Sequence, residues 1–220
     1  MIAELDNLIL RFMGKEVNNL FFTSDSHFCH ENILLPCGRP FKSIEEHDAV
    51  LVENWNKKVP KNGVVFHLGD VAMKFEQDRL KEILDSLNGK IYLIIGNHDV
   101  QYLEFLKYRF EAMYWQLGLH IGQHSVLLNH NPFLCYAGAW KEKPKAIQLF
   151  GHVHSGQYNV TGIDLPRLQH LFPWQYDVGV DANNFMPISW NEIIEIMQKR
   201  REKKLEDLAN ESDLQTLHES

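Results

Sequence analysis

Long apolar runs are missing from this 220-residue chain. None approaches the ~18 residues that a helical membrane span requires, so such a span is excluded. Cysteine is scarce: Cys29, Cys37 and Cys135 form no C-x-x-C pair, and three thiols suit a reduced, cytoplasmic protein better than a disulfide-stapled one. There is no basic excess. The 22 Lys and Arg are outnumbered by 29 Asp and Glu, giving a net charge of −7, which speaks against a protein that coats nucleic acid through a basic face. Internal repeats and low-complexity linkers are absent as well. Residues 1–17 interleave Glu4, Asp6 and Arg11 with apolar side chains and do not read as a secretory signal. What remains is an ordinary globular composition, 45% hydrophobic and 23% charged. Such a chain buries roughly 70% of its unfolded surface and needs neither disulfide nor metal merely to fold. One count departs from the average: 12 histidines.

Short apolar runs read as buried strands: Leu20 to Phe22, Val64 to Phe66, Ile91 to Ile95, Val126 to Leu128 and Ala146 to Phe150. Helical patterns alternate with them. Ser43 to Val59 repeats Ile44, Leu51, Val52, Trp55 and Val59 behind a capping box of Ser43 and Glu46. Gln77 to Leu87 places Leu80, Ile83, Leu84 and Leu87 on one face, and Asn88-Gly89 then stops it. Tyr102 to Phe110 is a third, shorter candidate. The alternation predicts an α/β domain with a mostly parallel sheet. After Gly118, strand-like pieces follow one another closely (Leu119 to Ile121, Ser125 to Leu128, Ile147 to Phe150, Gln157 to Val160, Val178 to Val180), and a second sheet is expected there. Pro187 and a second capping box, Ser189 with Glu192, open a last helix whose core face is Ile193, Ile194 and Met197. The expected division is a domain over 1–197 and a charged helical extension or tail over 198–220.

Each of five apolar runs ends on a polar group able to bind a metal or move a proton. Asp25-Ser26-His27 follows the first, Gly69-Asp70 the second and Gly96-Asn97-His98-Asp99 the third. Asn129-His130 and Gly151-His152-Val153-His154 follow the last two. Ligands of open α/β sheets bind outside the carboxyl ends of the strands, so these residues can converge. Carboxylate oxygen and imidazole nitrogen together suit manganese, iron, zinc or similar divalent ions. Seven ligands exceed what one tetrahedral zinc needs and suffice for two ions sharing a carboxylate. If extended, D-x-H and H-x-H each place their outer residues on one side. Gly69, Gly96 and Gly151 let backbone approach the site closely.

In order and in kind, D-x-H, G-D, G-N-H-D, H and G-H-x-H resemble the signature of the calcineurin-like metallophosphoesterase superfamily. The blocks span Asp25 to His154. The stretches Thr23 to Ile33, Gly38-Arg39-Pro40-Phe41 and Asp177-Val178-Gly179-Val180-Asp181 are similar to a small bacterial and phage branch of it. The resemblance implies a two-sheet sandwich flanked by helices (four layers, αββα) with a dinuclear metal site at the strand ends. It implies that Asp25, His27 and His154 hold one ion, that Asn97, His130 and His152 hold the other, and that Asp70 bridges both. His98 would face the substrate phosphate and its leaving group, and Asp99 would orient His98. The implied cofactors are two divalent ions, manganese first, with iron, zinc or nickel as alternatives. The implied activity is hydrolysis of phosphoesters by a hydroxide shared between the ions.

A phosphodiester is favoured over a phosphomonoester. The expected partner is a phosphoester, small molecule or nucleotide; no membrane is expected, nucleic acid is not favoured, and the oligomeric state is left open. A nuclease acting on short nucleic acids is the specific alternative, and a metal-binding scaffold with little catalysis is the alternative from another class. The complete ligand set with His98 argues against the scaffold. Further candidates lie beside the motifs. His30 could contact substrate or support a ligand. Arg39 could clamp a phosphate oxygen with its planar fork. Tyr136 and Trp140, on the loop after His130, could stack on a base or sugar. His67 reads as a packed strand residue, and His47 as ordinary.

Overall fold

The computed structural model describes residues 10–136, 146–154 and 170–203. Trp140, the expected strand Gln157 to Val160, and the tail beyond 203 lie outside the described residues. The strands are β1 (Leu10–Phe12), β2 (Leu20–Thr23), β3 (Val64–His67), β4 (Lys90–Ile94), β5 (Met113–Tyr114), β6 (Gln116–Ile121), β7 (His124–Asn129), β8 (Ala146–Phe150), β9 (Gln175–Asp177) and β10 (Ile188–Ser189). The helices are α1 (Ile44–Lys58), α2 (Gln77–Ser86), the one-turn α3 (Leu103–Leu106) and α4 over 190–203.

Two five-stranded sheets result, β10-β2-β3-β4-β5 and β1-β6-β7-β8-β9. The first is parallel except for β10. The second is parallel except for the β6–β7 hairpin, whose two-residue loop starts with Gly122 at φ 58°. Alternation along β2 decides what each face buries. Leu20 and Phe22 point into the core between the sheets, where Phe66, Leu119, Val126, Ile147 and Leu149 also meet. Phe21 points the other way, joining Val65, Ile91 and Leu93 under Leu51, Trp55, Leu80 and Leu84 of α1 and α2. Both faces of this sheet are therefore buried, which is why its strands read as unbroken apolar runs. The architecture is mixed α/β, two sheets flanked by helices.

Local signals explain the helix ends. The Ser43 hydroxyl accepts the Glu46 amide at 3.2 Å. The box is half-made, because the Glu46 carboxylate takes the Lys42 amide at 2.7 Å. At α4 the box is complete: Ser189 Oγ accepts the Glu192 amide at 3.3 Å, and the Glu192 carboxylate accepts the Ser189 amide at 3.0 Å. Ile193 and Met197 of α4 enter the inter-sheet core, and the helix continues through 198 without a break. The expected strand at Val178 to Val180 is not one. The strand is Gln175–Asp177, and a 3-10 turn occupies Val180–Ala182. The expected third helix shrinks to a 3-10 turn, Val100–Tyr102, and the single turn α3. The three cysteines are free thiols. Among the described residues no helix is long and apolar enough to cross a membrane.

Candidate metal centre

Five strands of the two sheets, β2, β3, β4, β7 and β8, end two or three residues before a polar group of the constellation, or directly at it. Their following turns are bonded to one another. The Asp25 amide donates to the Gly69 carbonyl at 2.9 Å, the His27 amide to the Asp70 carbonyl at 3.0 Å, and the Gly151 amide to the His130 carbonyl at 2.9 Å. These turns are not extended, contrary to the expectation for D-x-H and H-x-H. Asp25 (φ 57°), His27 (φ 50°), Asp70 (φ 57°), His152 (φ 72°) and His154 (φ 46°) all occupy the left-handed region. A non-glycine residue there costs about 1–3 kcal/mol, and the surrounding structure must impose it. Glycine has the part expected of it. A Cβ on Gly151 would lie 2.0 Å from Ser24 Oγ and 2.4 Å from Asp25 Oδ2, and one on Gly96 would lie 2.4 Å from Asp70 Oδ1.

The side chains converge in two groups. Asp25, His27 and His154 offer ligand atoms within 4.8 Å of one another, and so do Asp70, His130 and His152. Asn97 joins the second group, its Oδ1 lying 2.9 Å from His130 Nε2. Asp70 Oδ2 lies between the groups, 3.6 Å from His27 Nε2 and 3.4 Å from His130 Nε2. His27 Nε2 is buried and has no hydrogen-bond partner, and a buried nitrogen lone pair without a donor fits a cation. His130 donates Nδ1–H to the Leu68 carbonyl at 2.6 Å, which turns Nε2 toward Asp70 and Asn97 as the atom a cation would take once its proton leaves. His154 Nδ1 is bonded to Asp181 Oδ2 at 2.7 Å, which turns its Nε2 toward Asp25 Oδ1 at 3.9 Å. The donors, hard oxygens and imidazole nitrogens, match divalent ions of the manganese-to-zinc series.

The electrostatics divide the histidines. Burial, aided by the Arg39 charge, holds His27 well below the ordinary imidazole range, so it is neutral and ready to bind. Burial also disfavours charge on His130 and His154, but carboxylates outweigh it. Asp70 and Asp25 raise His130 to about 9, and bonds from Asp181 and Cys37, with the Asp25 charge, raise His154 to about 11. A cation binding there must displace these protons.

Several supporting assignments change. Asp99 does not orient His98. Its Oδ2 accepts the amides of Asp70 (2.9 Å) and Gly96 (2.8 Å), and its Oδ1 accepts the amide of Val71 (2.9 Å). Burial pushes this carboxyl up to about 6, against the pull of those amides. His98 is held through its backbone instead, its amide donating to Asp70 Oδ1 at 2.9 Å. Its ring is about a third exposed, with Nε2 3.9 Å from Asp70 Oδ2. His30 lies against a ligand candidate rather than open space: its Nδ1 is 3.2 Å from His27 Nδ1. If His27 binds through Nε2, its Nδ1 carries the proton and donates it to His30.

Arg39 clamps no phosphate, because it is buried with all five N–H donors engaged. Nε bonds Asp181 Oδ1 and Nη2 bonds Asp181 Oδ2, both at 2.8 Å. Nη2 also bonds the Asp25 carbonyl at 2.7 Å, and Nη1 bonds the Ser26 carbonyl at 3.0 Å and His47 Nε2 at 2.8 Å. Tyr136 stacks on no base. It is buried, with its hydroxyl donating to the Trp174 carbonyl at 3.3 Å and its ring edge-on to Phe172. His67 is packed as expected, with Nε2 2.9 Å from Ser26 Oγ.

Sequence reasoning missed Asp181 and His47. Asp181 was within reach, as an aspartate closing the quoted run Asp177 to Asp181. His47 carried no local signal, because its partners Arg39 and Asp48 become informative only when the loop folds against α1.

Compared with known protein families, the chain matches none. It is 28% identical over 184 residues to an uncharacterized protein of Methanocaldococcus jannaschii, covering 83% of this chain and 93% of that one. It is 25% identical over 213 residues to the gene 66 protein of Mycobacterium phage L5, covering 86% and 98%. Among solved structures, a protein of unknown function from Aquifex aeolicus superposes with a TM-score of 0.62 at 25% identity, covering 80% of this chain and 98% of that one.

Proposed function

We propose that this chain is a cytoplasmic, dinuclear metal-dependent phosphoesterase of the calcineurin-like metallophosphoesterase superfamily, acting on phosphodiesters in preference to monoesters. The αββα layering that the superfamily resemblance implies belongs to this reading. The observation that supports it furthest is Asp70 Oδ2, set between the imidazole nitrogens of His27 and His130 at 3.6 and 3.4 Å, with His27 Nε2 buried and unpartnered. One ion would be held by Asp25, His27 and His154, the other by Asn97, His130 and His152, with Asp70 shared. Manganese is the first choice, with iron, zinc or nickel as alternatives. Such a pair of ions supplies Lewis acidity toward phosphoryl oxygens and lowers the pKa of water.

The chain supplies the rest. Asn97 offers a neutral amide oxygen, which adds no negative charge where a phosphate must enter. His98, with its imidazole about a third exposed, holds its ring beside Asp70 and can donate a proton or hydrogen bond to a departing oxygen. His98→Ala keeps the backbone amide that anchors Asp70, so it is expected to retain its metal while turnover falls ~10²–10⁴-fold. Metal analysis and steady-state rates check both halves, and undiminished turnover would remove His98 from the reaction.

Manganese-reloaded protein, assayed on bis-p-nitrophenyl phosphate beside p-nitrophenyl phosphate with Asp70→Asn as the blank, tests the reading. Faster hydrolysis of the diester is expected. Failure to turn over either, with two ions bound, would favour a scaffold.

A further inference from the structure

We propose that the buried Arg39–Asp181 pair is a positioning device for one cation group alone, Asp25–His27–His154, so that the two groups can be filled separately. This rests on the two-ion reading above. The pair reaches all three residues of that group or the turn that carries them. Asp181 fixes His154 through Nδ1 at 2.7 Å, the carboxylate–imidazole contact by which proteins set the orientation and tautomer of a metal-binding histidine. Arg39 holds that carboxylate by two parallel bonds of 2.8 Å. The same guanidinium grips the carbonyls of Asp25 and Ser26 at 2.7 and 3.0 Å. Those carbonyls lie between Asp25 and His27, two ligand candidates in left-handed backbone that something must impose.

The segment carrying Asp181 is tied to the same turn, because the Val180 amide donates to the Ser24 carbonyl at 3.0 Å. Arg39 and Asp181 are both buried, so their pairing is shielded from the solvent screening that weakens surface ion pairs.

The other group has separate props. Asp99 fixes the amides of Asp70, Val71 and Gly96. The Leu68 carbonyl fixes His130, and the His98 amide fixes Asp70 Oδ1. Neither Arg39 nor Asp181 bonds any of these. The groups are joined where the His152 amide meets the Asp25 carboxylate, at 2.9 Å, and where the strand-end turns bond one another. Removing the charge of Asp181 leaves those bonds in place. Asparagine offers one acceptor oxygen where the carboxylate offered two, so it cannot serve both His154 Nδ1 and the Arg39 fork, and the orientation of one or both is weakened.

The test is manganese binding by apo full-length protein, read by calorimetric titration and by electron paramagnetic resonance. Wild type is expected to take two ions and to give an exchange-coupled signal. Asp181→Asn is expected to keep one ion near wild-type affinity and to bind the second ~10–100-fold more weakly. At one equivalent it should show an uncoupled, six-line manganese signal. His154→Ala, which deletes the ligand itself, should reproduce that titration. Unfolding would lower the apparent stoichiometry of both ions together, so near-UV circular dichroism is recorded alongside to confirm the fold. If Asp181→Asn does not fold, Arg39→Lys, which keeps the charge but loses the fork, is read the same way with a smaller loss expected. Folded variants that bind both ions with wild-type affinity overturn the proposal, and so do variants that lose both ions together. Wild-type protein that binds no manganese overturns the two-ion reading itself, a result distinct from either.

Discussion

Asp70→Asn is expected to abolish phosphodiester turnover, lowering it by at least ~10³-fold, or about 4 kcal/mol of transition-state stabilisation, and to reduce manganese content below two ions per chain. The fold should survive. Asparagine tolerates the left-handed conformation that Asp70 adopts at φ 57°, and its amide oxygen can still accept the His98 amide now bonded to Oδ1 at 2.9 Å. What disappears is the negative charge at Oδ2, the atom 3.6 Å from His27 Nε2 and 3.4 Å from His130 Nε2. In its place stands an NH2 group with no lone pair for a cation. Two divalent ions would bring four positive charges beside a site whose constellation carries few carboxylates, so losing the shared one weakens both. Metal analysis and the diester assay read the outcome together. An Asp70→Asn protein with two ions and wild-type turnover would show that Asp70 is not the shared ligand.

The strand ends were legible because both faces of the β2–β3–β4 sheet are buried. The apolar runs that result stop abruptly at Asp25, Asp70 and Asn97. The glycines were legible for a related reason: beside a carboxylate, a Cβ at Gly96 or Gly151 has no room. The left-handed turns were not legible, since Asp and His enter positive φ more often than most residues but nothing in the sequence marks which of them does so. The supports were legible least of all. Arg39, Asp181 and His47 lie 142 and 8 residues apart along their bonds, and a buried five-donor arginine looks the same in sequence as an exposed one. The guanidinium fork of Arg39, and for Tyr136 an aromatic ring on the loop after His130, were the cues that named them as substrate contacts. Burial, which sequence does not display, turned both into structural anchors.

Asp99 illustrates the same point with a large expected stability effect. Asp99→Ala is expected to destabilise the metal-free protein by on the order of 5 kcal/mol, because three amides, those of Asp70, Val71 and Gly96, lose their acceptor inside the protein. Each buried, unsatisfied N–H costs roughly 1–3 kcal/mol, and a whole domain is stable by only about 5–15 kcal/mol. Asp99→Asn should cost about half as much. Its single oxygen can serve the two amides now on Oδ2, while its NH2 meets the Val71 amide donor to donor. Urea unfolding of the apo forms measures the order Ala, then Asn, then wild type. Acid should not mimic the substitution. Burial raises the folded carboxyl to about 6, above its unfolded value. As pH falls from 7 toward 4 the folded state therefore takes up the proton first, and stability through this group rises rather than falls. Were Asp99 instead a partner of His98, Asp99→Ala would lower turnover with stability unchanged. A stable Asp99→Ala protein that is merely slow would therefore return Asp99 to the reaction and remove it from the scaffold.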